Sequence, residues 1–466
     1  MDTSSTSQTP NENDGIYSEL GAIRSDFLDR VIAAVDAENA DYLHEIALSL
    51  HESELADVLE TLGREKRRSM VRMLGEDFDF TVLTEVDDAV RLDLVEDIPN
   101  EQIAKGVADL DTDDAVYILE DLEQADQAEI LKQLPFTERI RLRRSLDYPE
   151  DSAGRRMNAS FVAVPPFWNV GQAIDYLRDT DDLPETFAQI FVVDPTFKLV
   201  GAIDLDMILR SKRDVQIEDI KRETRHFIPA EMDQEEAAHI FEQYDLLSAA
   251  VLDENERLVG VLTIDDIVDV IQEEADEDIK RLAGVGNEEI SDNVLTTTKS
   301  RFIWLLVNLG TAVLASLVIG VFDATIQQMV ALAVLMPIVA SMGGNAGTQT
   351  MTVAVRALAV GDIDIYNSRR IILRELLVGL INGVLFAVVI GTVTLFWFGN
   401  PSLGGVIAIA MVVNMMFAAL AGILVPLILD KVGADPATAS SVFVTTVTDV
   451  VGFFAFLGLA AIWFGI

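Results

Sequence analysis

Apolar residues recur at a fixed interval through the first third of the chain. From Leu50 to Leu146 an apolar residue stands at every twelfth position, and a second one stands three positions before most of them. The spacing of three predicts short helices of about two turns, and the fixed period predicts units that stack to bury a shared core. We therefore predict an all-α superhelical domain across residues 21–150. The polar residues 1–20 predict a disordered tail.

A second internal repeat follows. The segment Phe191–Leu209, FVVDPTFKLVGAIDLDMIL, aligns with Ala250–Val268, AVLDENERLVGVLTIDDIV, at an offset of 59 residues. Each copy predicts a strand, a turn, a Leu-Val-Gly strand and a helix. Such paired β-α-β-β-α units resemble tandem cystathionine-β-synthase (CBS) modules, which bind adenine nucleotides or metals and regulate an attached domain. We expect an α+β domain of this kind across residues 151–271.

The last third of the chain reads as a membrane domain. Charged residues of 272–300 predict a helical connector, and 301–466 contain stretches long enough to cross a hydrocarbon core of about 30 Å. Basic residues precede the first span and occupy the loops after the second and fourth spans, whereas the loops after the first and third spans have none. This asymmetry predicts a cytoplasmic N-terminus and an external C-terminus in the plasma or inner membrane. The predicted spans are residues 304–322, 325–355, 376–398, 406–429 and 442–464.

Charge separates the two parts of the chain. The formal net charge is -43, and residues 1–300 carry -42 of it, from 28 basic and 70 acidic side chains. A surface with this much negative charge repels nucleic acid and concentrates cations. The charge therefore favours metal ions as partners. Solvation or adaptation to salt would also account for the excess. The chain has no cysteine, so thiolate chemistry and cysteine-ligated zinc are excluded.

One carboxylate lies deep in a predicted span. Asp449 follows three threonines in the run VTTVTDVVGFF. A buried aspartate costs about 3 kcal/mol on insertion scales, so we expect it to face water or a cation, although a hydrogen bond to a neighbouring helix would also hold it. Oxygen ligands suit hydrated Mg2+, and Thr445 and Thr448 would add oxygens beside Asp449.

A second polar segment lies in the second span. The run PIVASMGGNAGTQTM begins at Pro337 and contains Gly344 and Asn345. Proline and glycine predict an interrupted helix whose carbonyls need protein or water beside them. Together with Asp449, this run predicts a second pore-lining segment.

The order of these features is similar to that of the MgtE family of Mg2+ channels. The helical repeat, CBS pair, charged connector, GGNxGxQ and TTxTDxxGF follow one another as in that family, although Thr348 stands where a second asparagine is expected. The resemblance implies a homodimer with Asp449 of each subunit facing the hydrated ion. It also implies a gating helix over residues 272–295, which closes the pore when Mg2+ bridges acidic faces.

The resemblance also carries regulatory metal ligands over to this chain. They are acidic residues of the second CBS copy, of the connector and of the pore mouth. By position they are Asp233, Glu235, Asp245, Asp266, Asp269, Glu274, Glu277 and Asp435.

Nucleotide binding by CBS modules uses Gly-h-h-Ser/Thr-x-x-Asp. The second copy has this pattern, with Thr263 to meet phosphate and Asp266 to meet ribose. The first copy has Asp204 and Met207 at these positions. The sequence therefore leaves ATP binding open.

These observations predict a passive, membrane-potential-driven Mg2+ channel that cytosolic Mg2+ closes. A secondary exchanger coupled to Na+ or H+ is the alternative, because it also uses broken helices and midplane carboxylates. A CBS-regulated membrane enzyme is disfavoured, since the spans hold no His, Cys or Lys constellation.

Overall fold

The computed structural model describes residues 16–18, 21–120, 122–180, 183–184, 186–222, 226–286, 294–359, 363 and 367–465. Most of the predicted tail, residues 1–15 and 19–20, lies outside this set. The chain forms two compact units, residues 1–271 and 272–466. The finer domain boundaries given above stay predictions.

The first unit opens with an array of short helices. Two 3-10 turns, Gly75–Asp77 and Phe80–Leu83, stand between the fourth and fifth of them. The helices are α1 Ser25–Asp36, α2 Ala40–Ser49, α3 Glu52–Thr61, α4 Arg64–Leu74, α5 Asp88–Val95, α6 Asn100–Ala108, α7 Thr112–Glu120, α8 Gln124–Gln133 and α9 Phe136–Leu146.

The twelve-residue period has a simple structural meaning. Helix α3 begins two residues after Leu50, α4 begins two residues after Leu62, and the same offset holds for α5 to α9. An apolar residue just before the N-cap fixes the angle at which the chain enters a helix. Helix α6 packs on α8 and α7 packs on α9, so one continuous core runs through the array. The predicted all-α superhelical fold is confirmed.

The two CBS copies form two small sheets of identical topology. In each, a short first strand pairs in parallel with the second, which pairs antiparallel with the third. Phe197 and Glu256, which the 59-residue offset places together, both have positive φ in the turn between strands. The strands are β1 Ala163–Val164, β2 Gln189–Val193, β3 Leu199–Asp204, β4 Ile228–Pro229, β5 Ser248–Leu252 and β6 Leu258–Thr263.

Helices surround these sheets, and the last of them continues into the second unit. The short helix α10 contacts both α7 of the array and β6 of the second CBS copy. These helices are α10 Ala153–Arg156, α11 Val170–Asp179, α12 Leu205–Arg210, α13 Ile217–Ile220, α14 Gln234–Tyr244 and α15 Ile264–Leu282.

The predicted gating helix is shorter than expected. Instead of continuing to residue 295, α15 ends at Leu282, because Gly284 takes a φ of +72° and the Val285 amide closes the end by donating to the Lys280 carbonyl. Residues 287–293 of the predicted connector lie outside the described residues.

The second unit contains five helices long and apolar enough to cross a membrane among the described residues. Helix α20 packs against α18, α19 and α21 and forms the centre of the bundle. A short helix, α17 Asp323–Gln328, precedes the second of the five. The long helices are α16 Val294–Val321, α18 Ala331–Ala359, α19 Ser368–Phe398, α20 Pro401–Lys431 and α21 Pro436–Phe464.

The predicted interruption of the second span was misplaced. Helix α18 runs without a break through Pro337 and the glycine cluster, and the chain breaks instead at Met329 and Val330. The proline lies in the second turn, where it removes one hydrogen bond near the helix start. The glycines serve close packing: a Cβ on Gly347 would lie 2.6 Å from Val444 Cγ1 of α21, and one on Gly422 of α20 would lie 2.6 Å from the Gly347 carbonyl oxygen.

Candidate functional site

Asp449 lies on α21 with its carboxylate partly exposed. Among the described residues, no hydrogen bond or ion pair involves this carboxylate. The neighbouring threonines are satisfied within the helix: the Thr445 hydroxyl donates to Ser441 O at 2.8 Å, and the Thr448 hydroxyl donates to Thr445 O at 2.9 Å. An ionisable side chain at this depth with no protein partner is suited to meet water or a cation.

The two threonines differ in accessibility. Thr445 is exposed, whereas Thr448 is fully buried, and its methyl group would lie 3.4 Å from a Cβ on Gly347. Thr448 thus packs α21 onto α18. Thr445 lies one turn before Asp449, on the same solvent-accessible side of α21. Their role as ion ligands stays a prediction.

The glycine cluster of α18 has two faces. Gly343 and Gly347 lie against other helices, where no Cβ would fit. Gly344 has open space around its Cα, and Asn345 and Thr348 are exposed. The sequence alone could not separate these faces, because the close neighbours of Gly343 and Gly347 come from α20 and α21.

An acidic cluster lies between the helical array and the second CBS copy. Asp113 and Asp114, in the first turn of α7, lie close to Asp266 in the first turn of α15. Burial raises the pKa of Asp114 to about 7, and the charge of Asp266 adds to the effect. Burial also raises the pKa of Asp266 to about 6, although hydrogen bonds from Thr263 partly offset the change.

Asp113 is the most strongly perturbed member of this cluster. Burial and the charge of Asp266 raise the pKa of Asp113 well above its usual range, and its buried Oδ1 has no hydrogen-bond partner among the described residues. Asp269, one turn after Asp266 on α15, also has a raised pKa, first through burial and then through the charge of Glu85. The sequence reasoning found Asp266 and Asp269 but missed Glu85, Asp113 and Asp114. The run DTDD at the start of a repeat unit was the available signal.

The other predicted ligands of the CBS copy, Asp233, Glu235 and Asp245, lie at the two ends of helix α14. Asp233 accepts from the Glu235 amide at 2.9 Å, and Asp245 ends the helix in the left-handed conformation. All three side chains are exposed. Asp233 also lines a cavity of about 830 Å3, together with Glu120, Glu150, Asp151, Arg155 and further residues of this region.

The end of α15 binds the start of α21. Arg281 donates from Nη1 to Asp435 Oδ2 at 2.9 Å and also pairs with Glu277 one turn earlier. Asp435 caps α21 by accepting from the Ala437 amide at 2.7 Å. Burial, and then the charge of Asp435, raise the pKa of Asp278. The predicted metal ligands Glu277 and Asp435 therefore lie on either side of an arginine, while Glu274 lies one turn earlier on α15.

The nucleotide pattern of the second CBS copy is internally paired. The Thr263 hydroxyl donates to the Asp266 carboxylate, and the Thr263 amide donates to the same oxygen at 3.3 Å. In the first copy, Asp204 accepts from Gln189 at 2.9 Å and from Arg222 at 3.0 Å, and Met207 is part of the apolar core. At the two positions of the nucleotide pattern, the second copy therefore has a hydrogen-bonded polar pair, whereas the first copy has an ion-paired acid and an apolar residue.

No three His, Asp or Glu side chains gather with metal-binding spacing in the described part of the chain. The acidic cluster supplies oxygen atoms only, the chemistry that hard divalent cations prefer. Mg2+ usually keeps several waters, so a site for it needs few direct protein ligands.

Three family models match the chain in the order of its domains. Residues 336–459 match a divalent cation transporter model, residues 50–151 match the MgtE intracellular N domain, and residues 217–273 match the CBS domain. These matches cover most of helices α18 to α21, helices α3 to α9 of the array, and the second CBS copy.

Similar proteins cover most of the chain. A magnesium transporter MgtE from Enterococcus faecalis is 36% identical over 322 residues, which are 69% of this chain and 71% of that protein. A magnesium transporter MgtE from Bacillus subtilis is 30% identical over 408 residues, or 87% of this chain and 90% of that protein. A crystal structure of the cytosolic domain of the Mg2+ channel MgtE in complex with ATP is 25% identical, with a TM-score of 0.49, and covers 52% of this chain and 99% of that one.

Proposed function

This chain belongs to the MgtE family of magnesium transporters, and from this premise we propose that it is a Mg2+-selective channel closed by cytosolic Mg2+. In this proposal Mg2+ enters passively. A negative interior favours its entry by about 4.6 kcal/mol per 100 mV for two charges. No second substrate or chemical step is required.

The partly exposed, unpaired carboxylate of Asp449 carries the proposal. An aspartate in a span needs water, a cation or a hydrogen bond from another helix, and the described residues supply no such bond to Asp449. A dication with its water shell meets that need, and the exposed Thr445 on the same helix adds a hydroxyl group to the pathway. Among the described residues, Asp449 is the one acid well inside a span, and a single such acid per subunit is little for coupled transport, so we favour the channel over the exchanger.

Flux into proteoliposomes tests the role of Asp449. We expect Asp449→Asn and Asp449→Ala to abolish Mg2+ uptake, and Asp430→Asn, an exposed acid at the end of α20, to leave it unchanged. Uptake at the wild-type rate in both Asp449 variants would remove this residue from the pathway. Current that reverses at the Mg2+ equilibrium potential, whatever the Na+ or H+ gradient, is expected of a channel, whereas a dependence on either gradient would favour the exchanger.

We further propose that the working protein is a homodimer. Asn345, Thr348 and Gln349 form an exposed polar face on α18 at membrane depth. Lipid cannot satisfy such groups, so they need a second subunit or a water-filled pathway beside them. Crosslinking through a cysteine at residue 345 of this cysteine-free chain tests the arrangement; absence of crosslinked dimer in membranes would contradict it.

The acidic cluster supports regulation by Mg2+. Asp113 and Asp114 of the array oppose Asp266 of the CBS copy, and Glu85 of the array opposes Asp269. The raised pKa values of the four aspartates indicate that their negative charges are poorly compensated. In our proposal Mg2+ neutralises this contact when its cytosolic concentration rises. The ordered contact then stabilises α15, whose far end pairs with Asp435 at the start of α21.

Neutralising the α15 acids tests the regulation separately from conduction. The variant with Asp266, Asp269, Glu274 and Glu277 changed to amides should conduct Mg2+ and stay open at millimolar internal Mg2+. Normal closure of this variant would confine the acidic excess to solvation.

The orientation and the nucleotide complete the proposal. The family model of the N domain is an intracellular one, and five crossings from a cytosolic N-terminal domain put the C-terminus outside.

We propose that any ATP site lies in the second CBS copy. That copy has the threonine and aspartate of the nucleotide pattern, Thr263 and Asp266, whereas the first copy has Asp204 and Met207 at these positions. ATP would have to break the Thr263–Asp266 hydrogen bond, so titration calorimetry with the Thr263→Val variant should lose the binding heat.

A further inference from the structure

Asn414, in the middle of α20, is a fully buried polar residue of the membrane unit. Its Nδ2 donates to the Val339 carbonyl oxygen of α18 at 2.7 Å. Its Oδ1 is also buried and has no hydrogen-bond partner among the described residues. A buried amide whose oxygen is unpaired is costly, and an aliphatic side chain of similar size would avoid that cost.

Glycines on two other helices make the space for this amide. A Cβ on Gly343 of α18 would lie 2.4 Å from Asn414 Nδ2, and a Cβ on Gly452 of α21 would lie 3.0 Å from both Nδ2 and Oδ1. Asn414 therefore stands at the point where α18, α20 and α21 meet. Any side chain at either glycine would force the three helices apart or displace the amide.

The two glycines belong to the two segments assigned to the ion pathway. Gly343 lies two residues before Asn345, on the packing face of the glycine cluster of α18. Gly452 lies three residues after Asp449 on α21. The amide thus touches the backs of both segments, and its hydrogen bond ties α18 to the central helix.

We propose that Asn414 is a positioning residue of the pore, which sets the spacing between α18 and α21 and thereby the selectivity among divalent cations. The proposal rests on the ion pathway proposed above. Its physical basis is that a hydrated ion is discriminated by the distance between the groups that contact its water shell. Asn414 itself touches no ion, because its side chain is enclosed by the helices.

Selectivity distinguishes positioning from general stability. We expect Asn414→Leu to be monodisperse in detergent and to change the ratio of Mg2+ to Ca2+ uptake in proteoliposomes at least threefold. Met415→Ala is the matched control, since Met415 is buried on the same helix but lies against Gly379 and Gly383 of α19. It should lower the yield or melting temperature without changing the ratio. An unchanged ratio in folded Asn414→Leu would overturn the proposal.

A rescue experiment covers the case in which Asn414→Leu does not fold. Gly343→Ala alone should lose at least nine tenths of uptake, because the new methyl group meets the amide. Adding Asn414→Ala should restore uptake, with the ratio still altered; failure of the double variant to recover would also overturn the proposal. Uptake that survives in Asp449→Asn would instead refute the underlying pathway, so the two failures are distinguishable.

Discussion

Replacing Asp114 with asparagine should stabilise the first unit at alkaline pH and weaken its response to Mg2+. Asp114 has a raised pKa of about 7, so the folded protein binds a proton that the unfolded chain releases near pH 4. Stability therefore falls as the pH rises between these values, and the full loss is present above about pH 7. Asparagine keeps the shape of the side chain and removes the charge.

The size of this stability change follows from the difference between the pKa of Asp114 in the folded protein and its ordinary value. Between the ordinary value of 3.8 and about 7, the cost of holding Asp114 ionised amounts to about 4 kcal/mol. Asp266 and Asp111 contribute to this cost after burial, so part of it disappears when a cation neutralises any member of the cluster. We expect Asp114→Asn to recover roughly 2–4 kcal/mol at pH 8 and close to none at pH 4.

Thermal unfolding of the full chain in detergent, at pH 8 and pH 4, with and without 10 mM Mg2+, measures both effects. Asp114→Asn should raise the melting temperature of the cytosolic unit at pH 8 and reduce the further increase that Mg2+ gives. Glu129→Gln, an exposed acid on α8, makes the same charge change outside the cluster and should have little effect. A lower melting temperature for Asp114→Asn at pH 8, or an Mg2+ response equal to that of the wild type, would refute the reasoning.

Two further predictions concern the membrane unit. Gly347→Ala should destabilise it by about 1–3 kcal/mol, because the new Cβ lies 2.6 Å from Val444 Cγ1. Gly344→Ala is the control, since the space around Gly344 is open, and it should leave the melting temperature unchanged. Equal melting temperatures of the two variants would contradict this packing. Arg281→Met frees Asp435 from an ion pair worth roughly 0.5–1 kcal/mol at a partly exposed site. Because this pair links α15 to α21 in the proposed closed state, its loss should raise the half-inhibiting Mg2+ concentration in a flux assay, and a fall would show that the arginine instead competes with Mg2+ for Asp435.

Periodic features of this fold were predictable because each depends on short stretches of chain. The twelve-residue repeat is a local pattern, and helices α3 to α9 begin where it places them. The 59-residue repeat fixed both small sheets, including the matching turns at Phe197 and Glu256. The end of α15 was misjudged, since the charges after Leu282 favour a helix and a single residue, Gly284, overrides them.

The contact that we propose to be regulatory was only half predictable. Asp266 and Asp269 followed from family resemblance, but the residues that oppose Asp266, Asp113 and Asp114, lie about 150 positions earlier in a helix whose first turn is acidic for ordinary reasons. Their importance depends on how the array docks on the CBS copy. Only the three-dimensional structure reveals that two acidic helix starts meet there and that burial raises their pKa values.

In the membrane helices, too, the sequence identified one important residue, Asp449, and could not identify another, Asn414. Asp449 could be identified from the sequence because a charge in a span is costly wherever it points. Asn414 carries no charge, and an amide in a long apolar helix is ordinary until its neighbours are known. Its significance lies in two glycines on different helices, Gly343 and Gly452, where an added Cβ would press against the amide. Sequence thus locates the group that would meet the ion, whereas the groups that would set its position emerge only from packing. If Asn414 does position the proposed pore, the selectivity of this transporter resides as much in α20, which has no assigned ion ligand, as in the helix that carries the carboxylate.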